Sequence, residues 1–202
     1  MPYSDFTLET VKKKLQLQLQ EHIDLFVGVP ERSPSDLLSE TLAYNVPLAL
    51  AVNTEKSRSE LIIAPILLEL RRQSESKISF FSGIEFNIDP TLGLNGVCDF
   101  ILSFASDQLI VTAPVVTIVE AKKENLNAGL GQCMAEMFAA QRFNEKEERN
   151  IPEIYGAVTT GNLWKFLRLK QKIVEIDLTE YSVHQINQIL GILSLCLNNE
   201  SR

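Results

Sequence analysis

The sequence predicts an α/β fold, a central mixed β-sheet flanked by helices with a helical extension at the N-terminus. Two observations carry that expectation. Residues 54–72 are dominated by Glu, Leu, Ile and Arg at helical spacing. From residue 78 the pattern changes to short apolar and β-branched runs separated by turn residues, with one further helical stretch at 128–144 among them. Helices and strands mixed in this way build a sheet covered by helices.

Taken in order, Ser4 with Leu8, Val11, Leu15 and Leu19 gives the spacing of an amphipathic N-terminal helix, with Lys12, Lys13 and Lys14 on its solvated side. A loop holding Pro30, Ser33 and Pro34 leads into a short helix over 36–44, which Pro47 closes. The helix over 54–72 contains Pro65, expected to kink it. Short strands at 78–81 and 84–88 flank a Ser82-Gly83 turn, and residues 89–93 form a loop. Two central strands follow at 97–104 and 115–122, joined by a polar turn at 105–108. The second is apolar on both faces up to Glu120, the mark of a strand buried between layers. A helix over 128–144 places Leu130, Met134, Met137 and Phe138 along one side. A strand at 154–160, a Gly161-Asn162 hairpin turn and a strand at 163–169 extended by 173–176 come next, and Thr179 caps a final helix to about Leu197. No internal repeat or low-complexity linker divides the chain. The expectation is one domain over 1–202: an extension at 1–53, a core at 54–176 and a C-terminal helix within 177–202.

Composition limits what such a domain can do. At 202 residues, 45% hydrophobic and 22% charged, the chain can bury a substantial core. No apolar stretch approaches the roughly 20 residues of a membrane span, and Met1-Pro2-Tyr3-Ser4-Asp5 lacks the basic-then-apolar start of a secretory signal. Cys98, Cys133 and Cys196 are odd in number and unpaired as C-x-x-C, which argues against a disulfide framework and a zinc site. A reducing cytoplasm is the expected setting. The net charge of -7 argues against a broad surface for a polyanion. It leaves room for a local site where a metal neutralises phosphate.

Residues 96–122 supply such a site: Gly96-Val97-Cys98-Asp99 on one strand and Val119-Glu120-Ala121-Lys122 at the end of the next. Alternation along a strand puts Glu120 and Lys122 on one face, about 6.6 Å apart along the backbone, with Ala121 facing the other way. A carboxylate can then hold a metal while an ammonium reaches the same phosphate. Asp99 supplies a second carboxylate if the two strands pair. Asp99, Glu120 and the Ala121 carbonyl meet the demand of Mg²⁺ for hard oxygen ligands. The competing reading is a structural ion pair at a strand end. Spacing alone does not separate the two, since Glu75-Ser76-Lys77 has the same pattern in a polar stretch. What distinguishes Glu120-Ala121-Lys122 is delivery from a buried strand, where unpaired charge is costly.

Glu60 in Ser59-Glu60-Leu61-Ile62, Asp99 in Gly96-Val97-Cys98-Asp99-Phe100, Glu120-Ala121-Lys122 and Gln132 on the following helix together resemble the PD-(D/E)xK restriction-endonuclease-like superfamily, over about residues 54–170. Cys98 stands where that motif has proline. The resemblance implies an αβββαβ core and Mg²⁺-dependent hydrolysis of phosphodiesters, DNA in preference to RNA, with Mn²⁺ able to substitute. It implies that Asp99, Glu120 and Ala121 bind the metal and that Lys122 orients or helps deprotonate the attacking water. Glu60 would contact a metal-bound water or a second metal; equally, it is an exposed helical acid near Arg58. Gln132 would touch a phosphate, steady Lys122, or be an ordinary polar position. A homodimer is compatible with cutting both strands of a duplex.

Beyond these residues, Arg168, Lys170 and Lys172 share a segment with Trp164 and Phe166. That stripe either tracks a phosphate backbone or guards an edge strand while Trp164 packs in the core. His22 and His184 have no metal-ligand spacing. The alternative to a nuclease is a nuclease-like domain without turnover that binds nucleic acid or a protein partner.

Overall fold

The computed structural model describes residues 2–74 and 78–197. The comparison pattern Glu75-Ser76-Lys77 and the last residues of the expected C-terminal segment, 198–202, lie outside the described residues. Among the described residues, eight strands, β1 (Gln18–His22), β2 (Ser79–Glu85), β3 (Val97–Ser103), β4 (Val115–Ala121), β5 (Ile154–Thr159), β6 (Leu163–Lys170), β7 (Ile173–Asp177) and β8 (Tyr181–Ser182), form one mixed sheet in the order β1-β7-β6-β5-β4-β3-β2, with β8 also against β6. β1 with β7 and β4 with β5 run parallel; the other pairs are antiparallel. The helices are α1 (Leu8–Lys14), α2 (Asp36–Val52), α3 (Glu55–Arg58), α4 (Ala64–Gln73), α5 (Leu126–Lys146) and α6 (Ile186–Leu197). None is long and apolar enough to cross a membrane among the described residues.

Apolar pattern sorts the helices onto the two sheet faces. Met134, Met137 and Phe138 of α5, with Tyr3, Phe6, Val11 and Leu15 of the N-terminal segment, pack against Ile118, Val158 and Leu167 on one face. Leu38 of α2, Ile66 and Leu67 of α4 and Ile189 and Leu193 of α6 pack against Val116, Val119, Trp164 and Phe166 on the other. β4 lies between these layers with every residue buried, as its unbroken apolar run requires.

The helix expected over 54–72 is built in three pieces, α3, a π-helical turn at Ser59–Ile63, and α4. Pro65 has no N–H to offer the Leu61 carbonyl one turn back. Asn45 of α2 fills that vacancy, its Nδ2 donating to the Leu61 oxygen at 2.9 Å. Just before the proline, the Ala64 N–H reaches back to Ser59 O, one residue further than α spacing. The expected kink therefore takes the form of a widened turn that carries Ser59 and Glu60.

Other expectations are corrected. The N-terminal helix is shorter: Thr7 caps α1, so Ser4 lies outside it, and Gln16 in the left-handed region (φ 57) turns the chain into β1, so Leu19 lies on a strand and the extension is not wholly helical. α2 runs through Pro47 to Asn53 at φ 54, because the ring sits on an exposed face where the carbonyl it displaces can meet water. Ser82-Gly83 is no turn; β2 is continuous through it. The extension at 173–176 is a separate strand, β7, after a reversal at Gln171 (φ 53). Thr179 does not cap the last helix. Its hydroxyl donates to Asp24 Oδ1 at 2.9 Å, and Ser182 caps the turn that precedes α6.

Replacing Asn45 by Leu leaves the Leu61 carbonyl without its donor and should lower unfolding stability by about 1–3 kcal/mol in urea titration. An unchanged midpoint would refute the bridging role.

Candidate active site at the end of the central strands

Pairing of Phe100 with Val119 sets Asp99 beside the end of β4. Its Oδ2 accepts the Ala121 N–H at 2.8 Å, tying the first acid to the backbone between Glu120 and Lys122. Glu120 is 1% exposed. Its Oε1 accepts from Lys122 Nζ at 2.5 Å, while its Oε2 has no hydrogen-bond partner among the described residues. Lys122 Nζ also donates to Gln132 Oε1 at 3.2 Å, and Gln132 Nε2 donates to Glu136 Oε1 at 3.0 Å. The chain Glu120–Lys122–Gln132–Glu136 thus runs from strand to helix and ends on a carboxyl that is 0% exposed, its Oε2 also without a partner.

Two glycines shape this arrangement, Gly129 by its missing side chain and Gly83 by its backbone conformation. At Gly129 of α5 a Cβ would stand 2.7 Å from Val158 Cγ1 and 3.0 Å from Lys122 Cγ, so only hydrogen lets the helix lie on the lysine stem. Gly83, at φ +62, stands opposite Asp99 between the pairs Ser82–Phe100 and Ile84–Cys98. There the alternation of both strands slips: Phe81 and Ile84 pack in one apolar cluster although three residues apart, as do Cys98 and Ile101. Asp99 sits at that twist, at the mouth of a cleft of about 250 Å³ that Gly83, Ser59, Glu60 and Lys56 also line.

The structure therefore brings Asp99, Glu120, Ala121, Lys122 and Gln132 together. Glu60 shares the cleft but is 60% exposed and pairs with Lys56 at 2.8 Å, while Arg58 is turned away to the Thr160 carbonyl at 2.8 Å. Gln132 lies beyond the first turn of α5, and its partners are Lys122 and Glu136. The basic stripe does not guard an edge, and its cations are engaged within the fold. β6 is an interior strand, Arg168 pairs with Glu175 at 2.7 Å and Lys170 with Glu153 at 2.9 Å, and Lys172 Nζ donates to Leu15 O and lies over the Phe138 ring. Trp164 is buried, donating to Gly161 O.

Burial and like charge govern the electrostatics. Desolvation, then the Asp99 charge, pushes the Glu120 carboxyl up to about 8 against the opposing pull of Lys122. Burial and then Glu120 hold Glu136 well above the carboxylate range. For Lys122, burial favours the neutral amine, but the charge and hydrogen bond of Glu120 outweigh it and the ammonium is stabilised. Cys98 and Cys133 are free, buried beside these acids, and their thiols are pushed up by burial first and by Glu136 next.

No group of three or more His, Cys, Asp or Glu side chains among the described residues is arranged to hold a metal ion. The donor set at the end of β4 is of another kind: two carboxylates and the backbone of Ala121. An unpartnered, buried Glu120 oxygen beside a second acid is a deficit of positive charge, and hard oxygens suit a hard divalent cation. Mg²⁺ fits the residues present.

Sequence reasoning missed Glu136 and Gly129. The signal for Glu136 was present in Gln132-Cys133-Met134-Ala135-Glu136-Met137, an acid four residues from Gln132 within an otherwise apolar helix. Gly129 gives no such signal, because its role depends on a strand brought beside it by folding.

The raised Glu120 value sets a pH dependence. A proton held more tightly folded than unfolded stabilises the protein fully below pH 4.5, and that contribution is lost as pH rises through about 8. Apart from a constant offset for the lost Lys122 contact, the melting temperature of the wild type should fall relative to Glu120→Gln between those limits. The cost is about 1.4 kcal/mol per pH unit over which the proton is held. Parallel melting curves across the range would refute the burial of an acid there.

Comparison with protein-family models, with curated proteins and with solved structures finds no match to this chain.

Proposed function

We propose that this chain is a divalent-metal-dependent nuclease with a restriction-endonuclease-like core of the PD-(D/E)xK kind, acting on DNA in preference to RNA. The observation that carries the reading is the convergence of Asp99, Glu120 and Lys122 at the end of a buried central strand, with one Glu120 oxygen left unpartnered. The order α4, β2, β3, β4, α5, β5, with β4 parallel to β5, supports it as well. So do the motif residues quoted above.

Asp99, Glu120 and the Ala121 carbonyl would hold Mg²⁺, or Mn²⁺ in its place. When bound, the ion acts as a Lewis acid on the phosphodiester and offsets charge that develops on its oxygens. The residues of the chain do the remaining work. Asp99 is held by the Ala121 N–H, so less side-chain freedom is lost when it binds. Lys122, held between Glu120 and Gln132, keeps a cation at the place where a phosphate oxygen or the attacking water would stand. Gln132 presents its carbonyl to Lys122 because Glu136 takes its amide, which fixes the amide orientation. Gly129 lets the lysine stem pass beneath the helix. Glu60, across the cleft, would reach a second ion or a water only after leaving Lys56.

One observation favours a second reading, a domain of the same fold that binds without turnover. The chain carries a net charge of -7, and the cations of the former stripe are engaged by acids, a carbonyl and an aromatic ring. A homodimer is the natural arrangement if both strands of a duplex are cut.

Purified protein with Mg²⁺ or Mn²⁺ should cleave single- or double-stranded DNA, with RNA as the comparison. Glu120→Ala and Lys122→Ala should each lose at least about 100-fold in rate, the scale of losing one preorganised charge stabiliser. Cleavage surviving both substitutions would sink the mechanism. Asp99→Asn should abolish Mn²⁺ binding measured by calorimetry, whereas a wild type that binds no divalent metal even with DNA present favours the binding reading. Gly129→Ala should lower the rate by displacing Lys122 while the protein stays folded by circular dichroism; full activity would show that the lysine does not need its groove.

A further inference from the structure

A buried lysine stands outside this scheme. Lys165 lies in β6, and its side chain is 7% exposed. Across the sheet the register runs from Glu120 in β4 to Val158 in β5 to Lys165 in β6, so all three share a face, and two strand spacings, roughly 10 Å, separate Glu120 from Lys165. On its other side β8 pairs Tyr181 with Trp164, which brings Glu180 alongside Lys165. The ammonium has two partners among the described residues, Asn127 Oδ1 at 3.2 Å and Glu180 Oε1 at 3.2 Å. Asn127 and Gly129 lie two residues apart on α5, about 3 Å along its axis. The ammoniums of Lys122 and Lys165 therefore flank the same end of that helix.

The two ends of the Lys165–Glu180 pair differ. The cation is anchored in the interior of the sheet, where taking an ammonium out of water is costly and an apolar side chain would pack as well. The anion is on the segment between β7 and β8, and its side chain is 44% exposed. A fixed, buried cation paired with a carboxylate that solvent can reclaim is the form of an anion subsite closed by a stand-in. We propose that Lys165 binds a phosphate of the nucleic-acid backbone next to the one cleaved, and that Glu180 occupies it in the free protein and is displaced when that phosphate arrives. The inference rests on the nuclease reading and adds to it a second phosphate position and the residue that closes it.

The test compares wild type, Glu180→Gln, Lys165→Gln, the double variant and Glu124→Gln in binding a labelled DNA oligonucleotide, with Ca²⁺ in place of Mg²⁺, across a salt series. Glu124 is a control acid, exposed and paired with Lys123 at 3.4 Å. Glu180→Gln should bind about fivefold tighter, and Lys165→Gln should flatten the dependence of log affinity on log salt by about 1, the signature of one lost phosphate contact. In the Lys165→Gln background, Glu180→Gln should add nothing. Lys165→Arg, which keeps the charge, should restore the slope, separating charge from packing if Lys165→Gln is unstable. A Glu180→Gln gain equal to that of Glu124→Gln, or one that persists without Lys165, overturns the inference and leaves the nuclease reading intact. Absence of DNA and RNA binding and of cleavage in the wild type overturns the nuclease reading, and the inference falls with it.

Discussion

A carboxylate withdrawn from water at the end of β4 is the constraint around which this molecule is arranged. Glu120 cannot be left there alone, because an isolated buried charge costs far more than the fold's margin of stability. Lys122 answers it within two residues of the same strand. That answer imposes further ones. The lysine stem must pass under α5, so residue 129 carries no side chain. The ammonium must find a second acceptor, so Gln132 turns its oxygen inward, and the amide so oriented needs Glu136 as its own acceptor. One buried charge thus dictates the identity of residues on a strand and along two turns of a helix. Asp99, joined through the Ala121 N–H, is where that internal chain opens onto the cleft.

The second organising fact is a defect in a helix. Pro65 leaves the Leu61 carbonyl without its usual donor, and the widened turn before it displaces Ser59 and Glu60 relative to a regular helix. Asn45 repairs the backbone from outside, which locks α2 to the wall of the cleft. Irregular turns of this type cost local hydrogen bonding and persist where something else over-determines them. Here two elements meet to do so.

Much of this was legible in the sequence wherever a single local cause decides. An apolar run ending in three charges marks a buried strand that delivers them, and Asp99, Glu120, Ala121, Lys122 and Gln132 do lie together. Elements with strong periods, α5, β4 and β5, fall close to their expected places. The errors come from segments that obey two patterns at once or answer to distant partners. Leu8, Val11 and Leu15 fit a helix, while Leu15, Leu17 and Leu19 alternate as a strand, and the chain uses both in turn across Gln16. Thr179 has the chemistry of a helix cap but spends its hydroxyl on Asp24, a residue 155 positions away. Lys165 reads as an ordinary polar position, because the groups that give it a purpose, Asn127 and Glu180, come from other elements.

The placement of β1 has a consequence for how safely the sheet exists. β7, Ile173-Val174-Glu175-Ile176-Asp177, carries the apolar alternation that invites pairing with a foreign chain. It is not the outermost strand. β1 covers it, Gln18 beside Ile173 and His22 beside Asp177, and presents Gln18, Gln20 and Glu21 to solvent. Because β1 precedes β7 by most of the chain, a partner strand has already been synthesised when β7 leaves the ribosome. The sticky edge is shielded by a polar segment of the same polypeptide, and the fold carries its own protection against aggregation at the flank farthest from β2.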